Sequence, residues 1–183
     1  MADLLRKRNR LPWYDYSQDG FYFVTLVVKN RAEVLSSVSE GKSVLTSAGH
    51  AVSQIILNIP QYYKNTNIDE LTIMPNHLHI IIQLNNTSLA KPGNEIITGR
   101  ICNYGKLSKI IKSFKCELVK VMKKQNEKRI YWQRSYYDHV IRDEKSYLRI
   151  KEYMVNNPFK WEMDVENAGV GGDSAAYYKK LTE

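Results

Sequence analysis

Long apolar runs are absent from this 183-residue chain: none approaches the roughly 20 residues that a helix needs to span a bilayer, so no membrane segment is expected. The opening stretch, Met1-Ala-Asp-Leu-Leu-Arg-Lys-Arg-Asn-Arg10, has no apolar core after its charges, so a secretory signal is not expected either. Cysteine is scarce. Cys102 and Cys116 lack metal-type spacing, and two such thiols suit a reducing cytoplasm. Acidic residues are in deficit, 19 against 27 Lys and Arg, giving a net charge of +8 and a pI near 9.3. That excess favours a polyanionic partner, although many basic proteins bind none. What is present is ordinary: 43% hydrophobic and 25% charged residues, the balance of a soluble globular protein with length for one domain and a real core.

Residues 1–20 read as a basic and aromatic arm. Arg6, Lys7, Arg8 and Arg10 precede Trp13, Tyr14 and Tyr16, a mixture that can track phosphates and stack on bases or simply lie solvated. Phe21 to Val28 reads as a first strand. Thr46 or Ser47 caps a helix to about Ile59, with Val52, Ile55, Ile56 and Ile59 on one face and Pro60 closing it. Glu70 to Met74 is a second strand, joined by Pro75-Asn76 to a third. Residues 85–105, with Pro92, Gly93 and Gly99, read as a long loop or insertion. The longest helix spans about Lys106 to Gln125, because Leu107, Ile110, Ile111, Phe114, Leu118, Val121 and Met122 recur at helical spacing. Its other faces carry Lys106, Lys109, Lys112, Lys115, Lys120, Lys123 and Lys124, a solvated face or a phosphate-contact surface. Ile130 to Arg142 is a strand with its approach. Asp143 caps a last helix from Glu144 to Asn156, stopped by Pro158, and 166–183 read as a flexible tail. The predicted fold is α+β: an antiparallel sheet of about four to five strands with helices packed on one face, ferredoxin-like or RRM-like, the other face open.

The chemistry concentrates on Met74-Pro75-Asn76-His77-Leu78-His79-Ile80-Ile81-Ile82. Strand side chains alternate, so Leu78, Ile80, Ile82 and Leu84 line one face and His77, His79 and Gln83 the other. The chain has only four histidines, and two of them one repeat apart on one face can converge on a cation. On the last helix, Tyr147, Leu148, Ile150, Met154 and Val155 form the predicted buried arc, with Tyr153 and Asn157 side by side on its flank. Asn157 precedes Pro158 and falls at the helix end. Its carboxamide oxygen can serve as a third ligand beside the imidazoles; equally, the pair can be a part-buried tyrosine and a helix-end cap.

The combination resembles a known family. His77-Leu78-His79 after Met74-Pro75-Asn76 is similar to the signature of the HUH single-tyrosine transposases. The run from Tyr131 to Glu144, followed by Tyr153-Met-Val-Asn-Asn157-Pro158, is similar to the branch associated with repetitive extragenic palindromes (REP), the REP-associated tyrosine transposases. The resemblance covers roughly Gly20 to Trp161. It implies a catalytic domain at about 21–165 in which His77, His79 and Asn157 hold a divalent metal, Mg²⁺ or Mn²⁺, and Tyr153 is the nucleophile. The implied substrate is single-stranded or hairpin DNA, cleaved through a 5′-phosphotyrosine and rejoined, in a cytoplasmic, nucleoid-associated protein that is a monomer or a homodimer. Expected DNA contacts are Arg6, Arg8, Arg10, Lys106, Lys109, Lys112, Lys120, Arg134 and Arg142. The chain departs from the pattern in its long 85–105 segment and in having no separate DNA-binding domain after the catalytic one, which leaves target choice open.

Two rivals make different predictions. A non-catalytic single-stranded nucleic-acid-binding module binds without metal and forms no adduct, but leaves the paired histidines unexplained. A metal-dependent nuclease that activates water keeps cleaving when Tyr153 becomes Phe.

Overall fold

The computed structural model describes residues 14–85, 105–167, 169–170 and 172–182, together with the backbone of 96–97 and 100–101. The main sheet has four antiparallel strands, β1 (Gly20–Val27), β4 (Thr66–Ile73), β5 (His77–Leu84) and β8 (Tyr137–Ile141), in the order β4-β5-β1-β8. Its helices are α1 (Ser47–Leu57), the one-turn α2 (Ile59–Tyr62), α3 (Lys106–Lys124), α4 (Glu144–Asn156) and α5 (Ser174–Thr182). Two small ladders lie outside the sheet, β2 (Ser36–Ser39) with β3 (Lys42–Leu45) and β6 (Ile96–Ile97) with β7 (Arg100–Ile101). The last of these falls within the 85–105 segment, most of which lies outside the described residues, as do Arg6, Arg8 and Arg10 of the arm.

The caps predicted from sequence form as expected. Thr46 Oγ1 accepts from the Gly49 amide at 3.1 Å, and an Asp143 carboxylate oxygen accepts from the Ser146 amide at 2.8 Å. Pro60 sits in the first turn of α2 rather than ending α1, a position where its missing N–H costs no hydrogen bond.

Strand alternation sorts the sheet into two faces. Tyr22, Val24, Leu26, Leu78, Ile80, Ile82 and Val140 meet Val52 and Ile56 of α1 and Leu107, Ile110, Phe114 and Leu118 of α3. The other face does not stay open. It carries Phe23, Ile81 and Ile141 as well as the histidines, and these are buried in a second core by Ile150 and Met154 of α4, by Tyr178 of α5 and by Val165 from the segment between those helices. Helices therefore pack against both faces, because three large apolar side chains on the histidine face need cover. Within α4, Leu148 and Val155, expected in the buried arc, are 56% and 66% exposed; Ile150 and Met154 alone of that arc are fully covered.

The described parts of the arm and of the tail pack on the domain. Tyr16, expected in the arm, is buried with its ring 6.1 Å from that of Tyr22, and Ser17 Oγ accepts from the Lys106 amide at 2.9 Å. The segment expected as a tail contains α5, whose Tyr178 is 1% exposed.

Gly49 gives a direct test of the α1 docking. A Cβ there would lie 2.0 Å from the buried Leu35 carbonyl oxygen. In an unobstructed helix, Gly→Ala stabilises by about 1 kcal/mol. Here Gly49→Ala must push α1 off the β-layer, and we expect a loss of about 2 kcal/mol, read as a lower urea midpoint at unchanged slope. A raised midpoint would contradict this packing.

Candidate active site

The two histidines sit on a central strand, where pairing on both sides fixes their rings. Val27 and Thr25 of β1 lie opposite His77 and His79, and Thr72 of β4 lies opposite His79. Expected on an open face, both rings are instead 0% exposed. Trp161, in a 3₁₀ turn (Trp161–Met163), lies 6.0 Å from the His77 ring; Phe23, Tyr153 and Tyr178 surround His79 at 5.2–5.7 Å. The Nε2 atoms of the two histidines converge to 3.1 Å.

Neighbours on Nδ1 decide what those Nε2 atoms can do. Asn76 Nδ2 donates to the Arg31 and Glu166 carbonyls, which turns Asn76 Oδ1 toward His77 Nδ1 at 2.9 Å. An amide oxygen only accepts, so His77 must carry its proton on Nδ1 and present a bare Nε2 lone pair. His79 Nδ1 lies 2.9 Å from Thr25 Oγ1, a hydroxyl able to accept that proton and free the second Nε2. Burial lowers the pKa of both imidazoles; for His79 the adjacent His77 lowers it further, and for His77 the charges of Asp164 and Glu166 oppose the shift. Neutral rings with convergent lone pairs are what a cation needs.

Three more side chains close the site. Tyr153 reaches His79 Nε2 with its hydroxyl at 3.1 Å and donates to Asp164 Oδ2 at 3.3 Å. Asn157, one turn further along the same helix and 1% exposed, donates through Nδ2 to Asp164 Oδ2, while its Oδ1 is buried with no hydrogen-bond partner. Ligand atoms of His77, His79 and Asp164 lie within 4.8 Å of one another, so this cluster could hold a metal ion. The residues fit one chemically: two imidazole nitrogens and a carboxylate converge, and an orphaned amide oxygen is buried on the side chain bonded to that carboxylate. Tyr153 itself has its pKa raised above the ordinary phenol value, first by burial and then by the Asp164 charge.

Two members of the site were not expected from sequence. Asp164 follows Asn157 by seven positions with no periodic relation to it, and only the Trp161–Met163 turn folds it back. Tyr178 had a readable signal: Asp173 precedes Ser-Ala-Ala-Tyr-Tyr and caps α5 by accepting from the amides of Ala175 and Ala176. Once docked, α5 brings Tyr177 and Tyr178 to 6.0 and 6.5 Å from the Tyr153 ring.

Among known proteins, one from Haemophilus influenzae (strain ATCC 51907 / DSM 11121 / KW20 / Rd), itself uncharacterised, is 38% identical over 173 residues, covering 87% of this chain and 91% of that one. A second protein of the same strain, described as a REP-associated tyrosine transposase, is 26% identical over 153 residues, covering 80% of this chain and 74% of that one. The solved structure of a REP-associated tyrosine transposase bound to a REP hairpin superposes with a TM-score of 0.56 at 19% identity, covering 83% of this chain and 74% of that one, and shares the fold. The chain is RAYT-like, similar to the REP-associated tyrosine transposases. No protein-family model matches it. This similarity supports a transposase-like function, and among the described residues no helix is long and apolar enough to cross a membrane.

The remaining residues expected to touch DNA in such a transposase are dispersed. The apolar stripe of α3 packs on the sheet face opposite His77 and His79, so Lys109, Lys112 and Lys120 are exposed on the far side of the molecule from the site. Lys106 is engaged, donating to the carbonyls of Lys64 and Asn65 at 2.9 and 3.2 Å. Lys120 pairs with Glu117 at 3.0 Å, and Lys115, its pKa lowered by burial to about 8, donates to the Gln133 carbonyl. Arg134 and Arg142 are exposed at the two ends of the β8 segment, Arg142 close enough for its charge to depress His139.

Proposed function

We propose that the chain cleaves and rejoins single-stranded or hairpin DNA by phosphoryl transfer to Tyr153. The observation that carries this reading is the Tyr153 hydroxyl 3.1 Å from His79 Nε2, itself 3.1 Å from His77 Nε2. A nucleophile on a rigid helix, held against a paired-imidazole site, is positioned for in-line attack. The Tyr153 Oη–P bond forms as the P–O3′ bond breaks, leaving a 5′-phosphotyrosine and a 3′-hydroxyl that takes up a proton. Reversal rejoins the strand without ATP. Mg²⁺ or Mn²⁺ held by His77, His79 and Asn157 supplies Lewis-acid stabilisation of the phosphate, worth several kcal/mol. With the His79 Nε2 lone pair given to the ion, the Asp164 carboxylate is the acceptor within reach of the phenolic proton.

Labelled oligonucleotide incubated with Mn²⁺ and run with and without denaturant tests this against the two rivals. An adduct that survives denaturant is expected. Cleavage without one means activated water, and a shifted band only without denaturant means a binding module.

A DNA path on this fold has two basic stretches to follow. One is the α3 lysine face. The other is a cavity of about 710 Å³ lined by Lys29, Lys128, Arg129 and Tyr131, whose wall includes the loop that offers the Arg31 carbonyl to Asn76, the residue that orients His77. For the helix face, reversing charge at Lys109, Lys112 and Lys120 together is expected to weaken binding to all sequences alike. The log–log salt slope should fall by about 0.7 for each single-strand phosphate that the helix no longer neutralises. An unchanged slope would assign these lysines to a solvated face and leave the cavity as the track.

Docked α5 also obstructs the site. A scissile phosphate must reach Tyr153 Oη, and the Tyr153 ring packs 6.0 and 6.5 Å from those of Tyr177 and Tyr178. Deleting residues 172–183 is therefore expected to raise the initial cleavage rate about tenfold while lowering the thermal midpoint, since Tyr178 burial is worth about 2 kcal/mol. An unaltered rate would mean that α5 leaves the path clear.

A further inference from the structure

Asp164 sits inside a site whose expected ligands are two histidines and an asparagine, and no sequence signal assigns it a task. Its surroundings do. Oδ1 accepts from the Glu166 amide at 2.7 Å, which fixes the carboxylate in a tight turn. Oδ2 accepts from two groups at once, the Asn157 Nδ2 and the Tyr153 hydroxyl. Both carboxylate oxygens are thus engaged by protein donors, and the residue is 4% exposed.

The consequence falls on Asn157. A carboxamide has a donor end and an acceptor end, and rotation by half a turn exchanges them. Next to a carboxylate only the donor end is tolerated, so Asp164 holds Nδ2 and turns Oδ1 the other way. That oxygen is buried with no hydrogen-bond partner, and the carboxylate that holds Nδ2 lies within 4.8 Å of the ligand nitrogens of both imidazoles. A buried, unpartnered acceptor is costly by itself and useful in a site that takes a cation. We propose that Asp164 is a positioning residue: it locks the Asn157 carboxamide with its oxygen toward His77 and His79, making Asn157 rather than Asp164 the oxygen ligand of the cation, and it tethers Tyr153 to the same carboxylate. One anchor then sets the spacing between ligand and nucleophile. The inference rests on the ion-assisted reading above.

The experiment measures Mn²⁺ affinity of the full chain without DNA, by calorimetry and by the electron-spin signal of free Mn²⁺, so that catalysis does not enter. Wild type is expected to bind one ion that His79→Ala does not. Asp164→Asn frees the carboxamide to turn and should weaken binding tenfold to a hundredfold, the usual loss when a ligand's hydrogen-bond partner is removed. Asn157→Ala should lose at least as much. The exchanged pair N157D/D164N restores one donor facing one acceptor, and is expected to recover affinity to within about threefold of wild type. Wild-type affinity in Asp164→Asn overturns the proposal. So does wild-type affinity in Asn157→Ala together with none in Asp164→Ala, which would make Asp164 the ligand itself. Should the substituted chains not fold, carbon-13 spectra of wild type titrated with Mg²⁺ decide the matter: the Asn157 side-chain carbonyl is expected to shift most, and a larger shift at the Asp164 carboxyl refutes the assignment. A wild-type chain that binds no ion removes the ion-assisted reading and this proposal together, whereas unchanged variants remove only the proposal.

Discussion

Tyr153→Phe is expected to eliminate the covalent DNA adduct and to lower strand cleavage by several powers of ten, as removing a covalent nucleophile does. The substitution deletes one oxygen. Its ring remains held edge-on to Phe23 at 6.5 Å, so the second core stays filled. Two hydrogen bonds disappear, to His79 and to Asp164, at a cost to stability of about 1–2 kcal/mol, which a folded domain survives. Mass mapping of the trapped adduct from wild type identifies the nucleophile directly. Competing tyrosines have other occupations. Tyr136 packs with the opposite core, Tyr137 lies 3.3 Å from Thr182 Oγ1, Tyr147 donates to Asp69, and Tyr178 donates to Glu166. A nucleotide found on any of those peptides would remove Tyr153 from its role.

His79→Ala carries the second large effect. Cleavage in Mn²⁺ is expected to fall to background while DNA affinity stays within about threefold, because a fully buried ring touches no DNA in the ground state. The same burial means that the change is not silent for folding. It opens a cavity among Phe23, Tyr153 and Tyr178 and leaves Thr25 Oγ1 without its partner, for about 2–3 kcal/mol in all. Circular dichroism at the assay temperature separates loss of chemistry from loss of fold. Cleavage at the wild-type rate by a folded His79→Ala chain would sink the ion site.

Fold and site are legible in the sequence where periodicity carries information. Alternation along Leu78, Ile80 and Ile82 puts His77 and His79 on one face, and the α3 stripe and the Asp143 cap place two helices to within a residue. Residue pattern fails where tertiary packing overrides it. Leu148 and Val155 lie on the apolar side of a helical wheel, yet α4 meets the sheet along a narrower line through Ile150 and Met154. The histidine face looks polar along its own strand because two imidazoles stand out there, while Phe23, which completes the apolar patch with Ile81, comes from a neighbouring strand. Chain-distant partners such as Asp164 and Tyr178 leave no spacing signal relative to the strand they complete, since a turn and a loop of arbitrary length stand between them.

If docked α5 obstructs the site, every measured rate is a product of two quantities, the intrinsic speed of the chemistry and the fraction of molecules competent for it. If docking is worth about 1.4 kcal/mol, on the order of one molecule in ten is competent at any instant, which matches the roughly tenfold gain expected on removing α5. The same fraction divides the apparent affinity for any DNA that requires the undocked form. Such DNA then draws population toward competence as its concentration rises, with a midpoint raised above the intrinsic dissociation constant by the reciprocal of that fraction.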